Sequence, residues 1–335
     1  MTERASKPTV CVSMGDPAGI GPEVLARALS DPGLSAMARW VVTGSERAFR
    51  RALEATGAQV EYAVFNAALP DALPASPVVL LDVGAGEVPQ PGSPDEAGGR
   101  WAGRAIRAAV ELALKGRADC MVTAPISKAH LFAAGFNFPG HTEMLASLCG
   151  VRKPLMLMAA GELRVAVFTR HVPLHSVFKY LKKSALADTV LTLARELRRW
   201  FGIERPRIAV TGLNPHCGEG GLFGTEDDEI IRPAVEQARR KGADAVGPLP
   251  ADSLFRPRER SRYDCILAMY HDQGLAPFKA LSGDEGVNVT LNLPFLRTSP
   301  DHGTAFDIAP RFEADPSSMC AAMRLAARFG GRRWA

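Results

Sequence analysis

Apolar segments of strand length alternate with amphipathic segments of helix length along most of this 335-residue chain. The alternation is typical of an α/β protein with a largely parallel sheet. It predicts strands at residues 9–13, 40–43, 78–82, 120–123, 155–159, 165–169, 207–211, 265–269 and 287–291. Residues 66–99 are rich in Ala, Pro and Gly around one of these strands, so they predict a surface connection and not a linker between independent domains.

Three helices are marked by the residues at their ends. Residues 185–201 carry apolar side chains at helical spacing and stop before a glycine. A second helix is predicted after Thr225, a potential N-cap followed by acidic residues that include Glu226, Asp227 and Asp228. The third, residues 316–329, follows Asp315 and begins with proline, which suits the first helical turn.

Composition and charge narrow the function classes. Hydrophobic residues make up 47% and charged residues 23% of the chain, as in folded globular proteins. The net charge is +4, but the basic residues form no stripe, so we expect no nucleic-acid partner. Because no apolar run approaches about 18 residues and residues 1–7 are polar, we expect a cytoplasmic protein without a membrane partner.

The cysteines indicate a reducing compartment. They lie far apart, form no C-x-x-C pair, and occupy positions Cys11, Cys120, Cys149, Cys217, Cys265 and Cys320. Three of them fall in apolar strand-like segments, which predicts buried free thiols and no disulfides.

A glycine-rich loop at residues 14–23 follows the first predicted strand and precedes a helix that Pro22 can start. Such a loop can place backbone N–H groups against an anion or a cofactor. It matches neither G-x-G-x-x-G nor the P-loop pattern, so it supports neither a Rossmann site nor a nucleotide-triphosphate site. A tight structural turn explains the loop equally well.

Three histidines, His171, His216 and His271, each follow an apolar strand-like run. The carboxyl ends of neighbouring parallel strands meet at one edge of a sheet, so the three imidazoles are expected to converge there. Imidazole suits Zn²⁺ and similar ions, and three protein ligands leave coordination positions open for a substrate. The alternative for each histidine is a hydrogen-bonded loop residue.

Two further polar sets point to an anionic ligand. His141 and Thr142 follow a Pro-Gly pair and are expected at a helix start, where Thr142 could instead act as a cap. Lys279, Asn288 and Arg297 lie on or near one predicted strand and would clamp a phosphate or carboxylate if they converge. Separately, each is compatible with a solvated surface position.

Six short motifs occur in order between residues 10 and 329: Gly15-Asp16-Pro17-Ala18-Gly19-Ile20-Gly21-Pro22-Glu23, Gly140-His141-Thr142-Glu143, Gly212-Leu213-Asn214-Pro215-His216, Gly247-Pro248-Leu249-Pro250-Ala251-Asp252, Met269-Tyr270-His271-Asp272-Gln273-Gly274 and Arg297-Thr298-Ser299-Pro300-Asp301-His302-Gly303-Thr304-Ala305. Together they resemble the 4-hydroxythreonine-4-phosphate dehydrogenase family of vitamin B6 biosynthesis. Residues 302–309 also resemble the nucleotide-side loop of isocitrate and isopropylmalate dehydrogenases.

This resemblance implies a two-lobed α/β/α sandwich of the isocitrate/isopropylmalate dehydrogenase type, not a Rossmann fold. We expect residues 1–125 and 270–335 to form an outer, nucleotide-side lobe. Residues 126–269 are then expected to form the central lobe, with the metal, the substrate and most of the dimer contact.

The resemblance also implies an activity and its cofactors. The expected reaction is oxidation of the C3 hydroxyl of 4-phosphohydroxy-L-threonine by NAD or NADP, followed by decarboxylation to 3-amino-2-oxopropyl phosphate. A divalent metal (Zn, Mg or Co) is expected in a homodimer whose active site lies at the interface. The implied residues are, for the metal, His171, His216 and His271; for the substrate, His141, Thr142, Lys279, Asn288 and Arg297; and for the nucleotide, Gly15, Asp16, Gly19, Asp301, His302, Gly303 and Thr304.

The general base is left open among Asp272, Asp252 and Lys279. Asp272 also has a competing role, because a carboxylate beside His271 can orient that ring. The chain departs from the family pattern at Cys217, where alanine is familiar, and at Asn292, where glycine is familiar. Neither departure removes a ligand, although Cys217 leaves the identity and oxidation sensitivity of the metal site open.

Three alternative functions remain. A paralogue acting on D-threonate or D-erythronate 4-phosphate would share the metal and nicotinamide chemistry. A metal-dependent hydrolase of a phosphorylated metabolite would use the same histidines without a nicotinamide. A catalytically silent anion-binding protein would be expected to lack one of the ligands, and all three histidines are present.

Overall fold

The computed structural model describes residues 7–66 and 68–330, which form an α/β fold in two compact units. Of these residues, those up to Pro154 and those from Leu293 form the first unit, and Leu155–Asn292 form the second. The strands are β1 (Thr9–Ser13), β2 (Arg39–Gly44), β3 (Tyr62–Asn66), β4 (Val78–Asp82), β5 (Cys120–Thr123), β6 (Leu155–Ala160), β7 (Leu163–Val167), β8 (Arg207–Thr211), β9 (Asp244–Leu249), β10 (Cys265–Ala268), β11 (Val287–Leu291) and β12 (Leu296–Pro300).

The α-helices connect these strands, as expected for parallel pairing. They are α1 (Gly21–Leu29), α2 (Pro32–Ser35), α3 (Glu46–Thr56), α4 (Glu96–Leu114), α5 (Lys128–Ala133), α6 (His141–Leu148), α7 (Val177–Tyr180), α8 (Lys183–Glu196), α9 (Arg232–Arg240), α10 (Ala251–Leu254), α11 (Pro257–Arg260), α12 (His271–Ser282) and α13 (Ser317–Gly330). Among the described residues, no helix is both long and apolar enough to cross a bilayer.

The first unit contains a parallel sheet in the order β3-β4-β2-β1-β5-β12. Its central strands are fully buried, as in β5, where all four residues are inaccessible. Helix α4 covers the sheet through Ile106, which packs in one apolar cluster with Met121 of β5 and with Leu131 and Met144 of α5 and α6. The carboxyl ends of β1 and β5 are therefore held side by side, with their loops on one edge.

The second unit contains a mixed sheet in the order β11-β6-β7-β10-β8-β9. Strands β11, β6 and β7 pair antiparallel, whereas β7, β10, β8 and β9 pair parallel. Helix α12 packs on this sheet through Leu275 and Phe278, which share an apolar cluster with Val165, Val167 and Ile266. The prediction of a largely parallel α/β fold in two parts is confirmed.

The two unit borders fall C-terminal to the predicted borders at 125/126 and 269/270. The first difference arises because α5 and α6 pack on α4 and add their apolar side chains to the first unit's core. The second arises because α12 packs on β7 and β10 of the second unit. Such tertiary contacts are not visible in the local pattern of the sequence.

The predicted elements match closely where the segment is buried. All predicted strands are present with shifts of at most two residues at an end, and β3, β9 and β12 are additional. The helix predicted at 185–201 is α8 continued by a π-helical turn, Leu197–Phe201, before Gly202. The helix predicted after Thr225 begins with a π-helical turn, Asp227–Ile231, that leads into α9. Cys11, Cys120 and Cys265 are buried in strands, as predicted.

Candidate active site

The three candidate metal ligands follow three neighbouring parallel strands of the second unit. Strand β10 lies between β7 and β8, and the three run in the same direction. His171 follows β7, His271 follows β10 and His216 follows β8. The strand order on which the predicted convergence depends is therefore present.

His171 and His271 lie close together. Their ring centroids are 5.6 Å apart, with an angle of 43° between the ring planes. In the His271 ring, Nδ1 lies 2.7 Å from Oδ1 of Asp272. A carboxylate only accepts, so Nδ1 carries the hydrogen and Nε2 is left to bind another group. Asp272 thus contacts His271 in the way expected of an orienting residue.

The segment that carries His216 has an uncommon backbone. His216, Cys217 and Glu219 have φ values of 50°, 56° and 45°, in the left-handed region that side chains disfavour, and Gly218 continues the turn at 83°. His171 also has a positive φ, of 26°. Non-glycine residues persist in this region where the surroundings over-determine it, and such residues cluster at functional sites.

Asp227 holds the start of the His216 segment. Its buried carboxylate accepts hydrogen bonds from Leu213 N at 2.8 Å and Asn214 N at 3.1 Å. The Asn214 amide donates to the same carboxylate at 2.9 Å and to Glu226 at 2.8 Å. The segment is therefore fixed by charge-assisted hydrogen bonds that reach backbone and side chain together.

Gln273 ties the end of β8 to the end of β10. Its Oε1 accepts from Thr211 Oγ1 at 2.8 Å and from Met269 N at 2.7 Å, while its Nε2 donates to Gly212 O at 2.7 Å. The segments that lead to His216 and His271 thus both begin at backbone atoms that form hydrogen bonds with the Gln273 side chain.

These residues partly fit a metal ion. Two imidazoles that bind one ion with N–metal bonds of about 2.0–2.1 Å have centroids roughly 5–6 Å apart, as His171 and His271 do. Within residues 7–66 and 68–330, no group of three or more His, Cys, Asp or Glu side chains is arranged to hold an ion. The structure therefore pairs two of the three predicted ligands and does not add His216 to a complete set within one chain.

The first unit holds a small cavity of about 110 Å³ beside β5 and β12. Its lining includes Thr123, Ile126, His141, Arg297, Ser299 and His302. Arg297 is 3% exposed and donates from Nε and Nη2 to Thr123 Oγ1 at 3.0 and 2.5 Å. Because Arg297 pairs with Met121 in the β12–β5 register, its side chain lies on the face of Thr123.

Burial changes the pKa values of two groups in this cavity. It lowers the pKa of the Arg297 guanidinium to about 9, so the group still carries its charge at pH 7. Burial, with the nearby charges of Arg297 and Lys128, holds the pKa of His141 well below its usual range. His141 is therefore neutral at pH 7, and its buried Nε2 has no hydrogen-bond partner among the described residues.

His141 is the first residue of α6, as the sequence predicts. The N-cap is Gly140, which has an extended backbone and no side chain that could cap the helix. Thr142 therefore lies inside the first turn, and the alternative that it caps the helix is wrong.

The glycine-rich loop packs against the loop after β12. Ile20 N donates to Thr304 O at 3.0 Å, and a Cβ atom on Gly19 would lie 2.7 Å from that oxygen. Gly15 has a φ of +78° and would bring a Cβ atom within 2.3 Å of Pro125 O. Two of the predicted nucleotide segments are thus brought together, with both glycines required by close backbone approach.

Asp16 in the same loop is inaccessible to solvent. Its Oδ1 accepts from Ala18 N at 3.0 Å, and its Oδ2 lies 3.8 Å from Nδ1 of His130 in α5. Burial raises the pKa of Asp16 to about 6. The protonation midpoint of this carboxyl group therefore lies at about pH 6, so the group is mostly charged at neutral pH.

The remaining predicted residues lie in several places. In the second unit, Lys279 is exposed on α12, Asn288 is half-buried on β11, and Asp252 is exposed on α10. In the first unit, Asp301 N donates to Ser318 Oγ at 3.1 Å. Sequence analysis missed Thr123, although its place at the end of a buried strand was a usable signal.

The comparisons with known proteins agree on one family. The family model "Pyridoxal phosphate biosynthetic protein PdxA" matches residues 36–326. The chain belongs to the PdxA family. A PdxA-family relative from Caulobacter vibrioides, named 4-hydroxythreonine-4-phosphate dehydrogenase, is 45% identical over 97% of this chain and 98% of its own.

Solved structures of similar proteins show the same fold. The 4-hydroxythreonine-4-phosphate dehydrogenase from Klebsiella pneumoniae has a TM-score of 0.86 and 38% identity, covering 96% of this chain and 99% of its own. A terephthalate 1,2-cis-dihydrodiol dehydrogenase from Burkholderia xenovorans has a TM-score of 0.68 and 29% identity, covering 96% and 97%. The PdxA fold thus also occurs in a protein named for a different dehydrogenation.

Proposed function

We propose that this chain is an NAD(P)-dependent and divalent-metal-dependent 4-hydroxythreonine-4-phosphate dehydrogenase of pyridoxine 5'-phosphate biosynthesis. It oxidises C3 of 4-phosphohydroxy-L-threonine to 2-amino-3-oxo-4-phosphobutanoate, which then loses CO₂ to give 3-amino-2-oxopropyl phosphate. The observation that carries the proposal is the small cavity of His141 and Arg297 in a chain whose full-length relatives bear this name. A phosphorylated substrate needs such a buried cation.

The chain's own residues bind and orient this substrate. Arg297 supplies a charge that Thr123 fixes in direction, and neutral His141 offers Nε2 to a substrate oxygen. Binding energy from the phosphate end then positions the reacting carbon. We assign Thr142, Lys279 and Asn288 to the same substrate on the family resemblance.

His171, His216 and His271 would hold the metal. Bound there, the ion would supply Lewis acidity, and NAD or NADP would supply the hydride acceptor. Asp272 keeps the Nδ1 hydrogen of His271 in place, so Nε2 stays available as a ligand. This contact favours Asp252 or Lys279 over Asp272 as the residue that takes the hydroxyl proton.

A second copy of the chain completes this site. Large apolar side chains are exposed in the segments that follow His171 and His216 along the chain: Leu174 is 65% and Leu222 74% exposed, and Phe178, Tyr180 and Phe223 are also exposed. Apolar side chains exposed beside a ligand set that is incomplete in one chain are those of an interface. We therefore propose a homodimer with residues of both protomers at the metal.

The test compares two substrates. Purified protein is given NAD or NADP with 4-phosphohydroxy-L-threonine, and in parallel with D-threonate 4-phosphate, while reduced nicotinamide and CO₂ are measured. We expect equal amounts of both products with the amino acid phosphate alone. Reduction only with D-threonate 4-phosphate would assign the chain to the paralogous activity, and phosphate release without reduction would support the hydrolase.

A further inference from the structure

The cavity beside β5 and β12 contains a histidine that the substrate assignment leaves out. His302 lines the cavity together with His141 and Arg297. The Nε2 atom of His302 is buried and has no hydrogen-bond partner among the described residues, as is true of His141 Nε2. Two buried ring nitrogens without a partner in one cavity indicate that a bound group completes their hydrogen bonding.

The other ring nitrogen of His302 fixes its tautomer. Nδ1 lies 3.0 Å from the carbonyl oxygen of Gly303. A carbonyl oxygen only accepts, so Nδ1 carries the hydrogen and Nε2 has the lone pair in the neutral ring. Nε2 can accept a hydrogen from a protonated oxygen of a ligand or, once the ring is protonated, donate one to an anionic oxygen.

The size and chemistry of the cavity define the ligand. A volume of about 110 Å³ is that of roughly four liquid waters at about 30 Å³ each, well below the about 300–1,000 Å³ of a pocket for a whole drug-sized ligand. A tetrahedral oxyanion fits this space, and a whole dinucleotide is larger than it. The hydroxyl groups of Thr123 and Ser299 and the cation of Arg297 line the same space.

We propose that His302 contacts the phosphate group of the substrate, with Arg297 and His141 on the other sides of that group. His302 is then a specificity-determining substrate residue, where family resemblance alone would place it at the nucleotide. The ligand's identity as the substrate phosphate rests on the proposed function. The anion-binding role of His302 rests on the cavity alone.

The test is calorimetric titration of the full-length protein with inorganic phosphate, and separately with NAD, in the absence of turnover. The variants are His302→Ala, His302→Gln and, as a control, Arg311→Ala, which removes an exposed cation that pairs with Glu313 at 2.6 Å. We expect His302→Ala to raise the Kd for phosphate about tenfold, as for a lost hydrogen bond to a charged group. His302→Gln should be intermediate, because its carboxamide reaches the cavity without an imidazole. Arg311→Ala should bind phosphate like wild type, and NAD affinity should be equal in all four proteins.

Phosphate binding that is equal in wild type and both His302 variants would overturn the proposal. A wild-type protein that binds no phosphate, or His302 variants that lose only NAD affinity, would overturn it as well. If His302→Ala does not fold, His302→Gln carries the same comparison. If the wild type turns over 4-phosphohydroxy-L-threonine and the His302 variants bind phosphate normally, this inference is contradicted and the proposed function is not. If phosphate binding depends on His302 but no dehydrogenation occurs, the proposed function is contradicted and this inference is not.

Discussion

Arg297 is buried and charged, and the hydroxyl oxygen of Thr123 helps to fix its orientation. Two of its N–H groups converge on Thr123 Oγ1, at 3.0 and 2.5 Å. A buried cation of this kind contributes to binding only if its direction is fixed before the ligand arrives. Thr123 is therefore a positioning residue that acts through Arg297.

Replacing Thr123 by valine should weaken substrate binding with little change in shape. We expect KM for the phosphorylated substrate to rise about tenfold, the size of a lost hydrogen bond to a charged group, with a smaller change in kcat. Thr123→Ser keeps the oxygen and should restore most of the affinity. Steady-state kinetics of both variants provide the measurement, and equal KM values for Val and Ser would contradict the positioning role.

Asp16 gives a pH-dependent contribution to stability. Burial raises its pKa from 3.8 to about 6, so the folded state binds this proton more tightly than the unfolded state does. Its contribution is fully present below about pH 3.8 and is lost as the pH rises through about 6. At one pKa unit per 1.36 kcal/mol, the charged carboxylate costs the fold up to about 3 kcal/mol at neutral pH.

Asp16→Asn should remove this cost while keeping the hydrogen bond from Ala18 N to Oδ1. Urea unfolding between pH 4 and 8 should show a gain of about 1–3 kcal/mol for the variant above pH 6, shrinking towards pH 4. Asp71→Asn, at an exposed position, serves as the control and should show no such trend. A difference from wild type that stays constant with pH would contradict the raised pKa.

At the scale of single residues, the sequence predicts which residues belong to the site better than it predicts which residues contact one another. Motifs in the sequence point to His141 and Arg297 as site residues. They do not reveal that both line one cavity with His302, because that cavity depends on the pairing of β12 with β5, two strands that lie far apart in the sequence. The Asp272–His271 contact could be foreseen, since the two residues are adjacent. The buried state of Asp16 could not, because it arises from packing against Gly98 of α4.

At the scale of elements, the loop between β8 and α9 presents His216 from a left-handed backbone. Its conformation depends on Asp227, which receives two backbone N–H groups and the Asn214 side chain. Asp227→Asn places amide hydrogens against these donors. We expect a loss of about 2–3 kcal/mol of unfolding free energy and a metal affinity lowered about 10- to 100-fold.

The neighbouring Asp228 supplies the matched control. It is exposed and pairs with Arg232 at 2.8 Å across one helical turn, so Asp228→Asn should cost only about 0.3–0.5 kcal/mol. Equilibrium dialysis with the metal, together with urea unfolding, measures both variants. Equal metal affinities in the two would show that the His216 loop does not contribute to the ion site.

The strands that the sequence did not reveal were missed for two physical reasons. Strand β3 is half-exposed at the sheet edge, and β9, also at an edge, contains a Gly-Pro pair. Strand β12 is fully buried but has the polar sequence LRTSP, because it carries the arginine of the cavity. Hydrophobic patterning finds strands that serve only the core, and it fails where a buried strand also serves the site.

At the scale of the whole molecule, the account requires two copies of the chain. The family resemblance implied two lobes, with borders N-terminal to those of the two compact units, because the unit borders depend on helix packing. The exposed Leu174 and Leu222 lie a few residues after His171 and His216. Replacing both leucines by lysine should give monomers in sedimentation velocity and a large loss of metal affinity.

Phe132→Lys is the control for that substitution. Phe132 is 63% exposed on α5 of the first unit, whereas the histidine-bearing segments belong to the second unit. This variant should remain dimeric and bind metal normally. Dimers that persist in the double lysine variant would place the interface elsewhere.

The central claim is that the chain dehydrogenates a phosphorylated amino acid with the help of a metal held by its histidines. The most direct measurement is the rate of nicotinamide reduction with 4-phosphohydroxy-L-threonine by metal-stripped protein, before and after Zn²⁺, Mg²⁺ or Co²⁺ is restored. The account predicts no reduction by the stripped protein and recovery with at least one ion, but no recovery in His216→Ala. Reduction at the same rate with and without metal would contradict it.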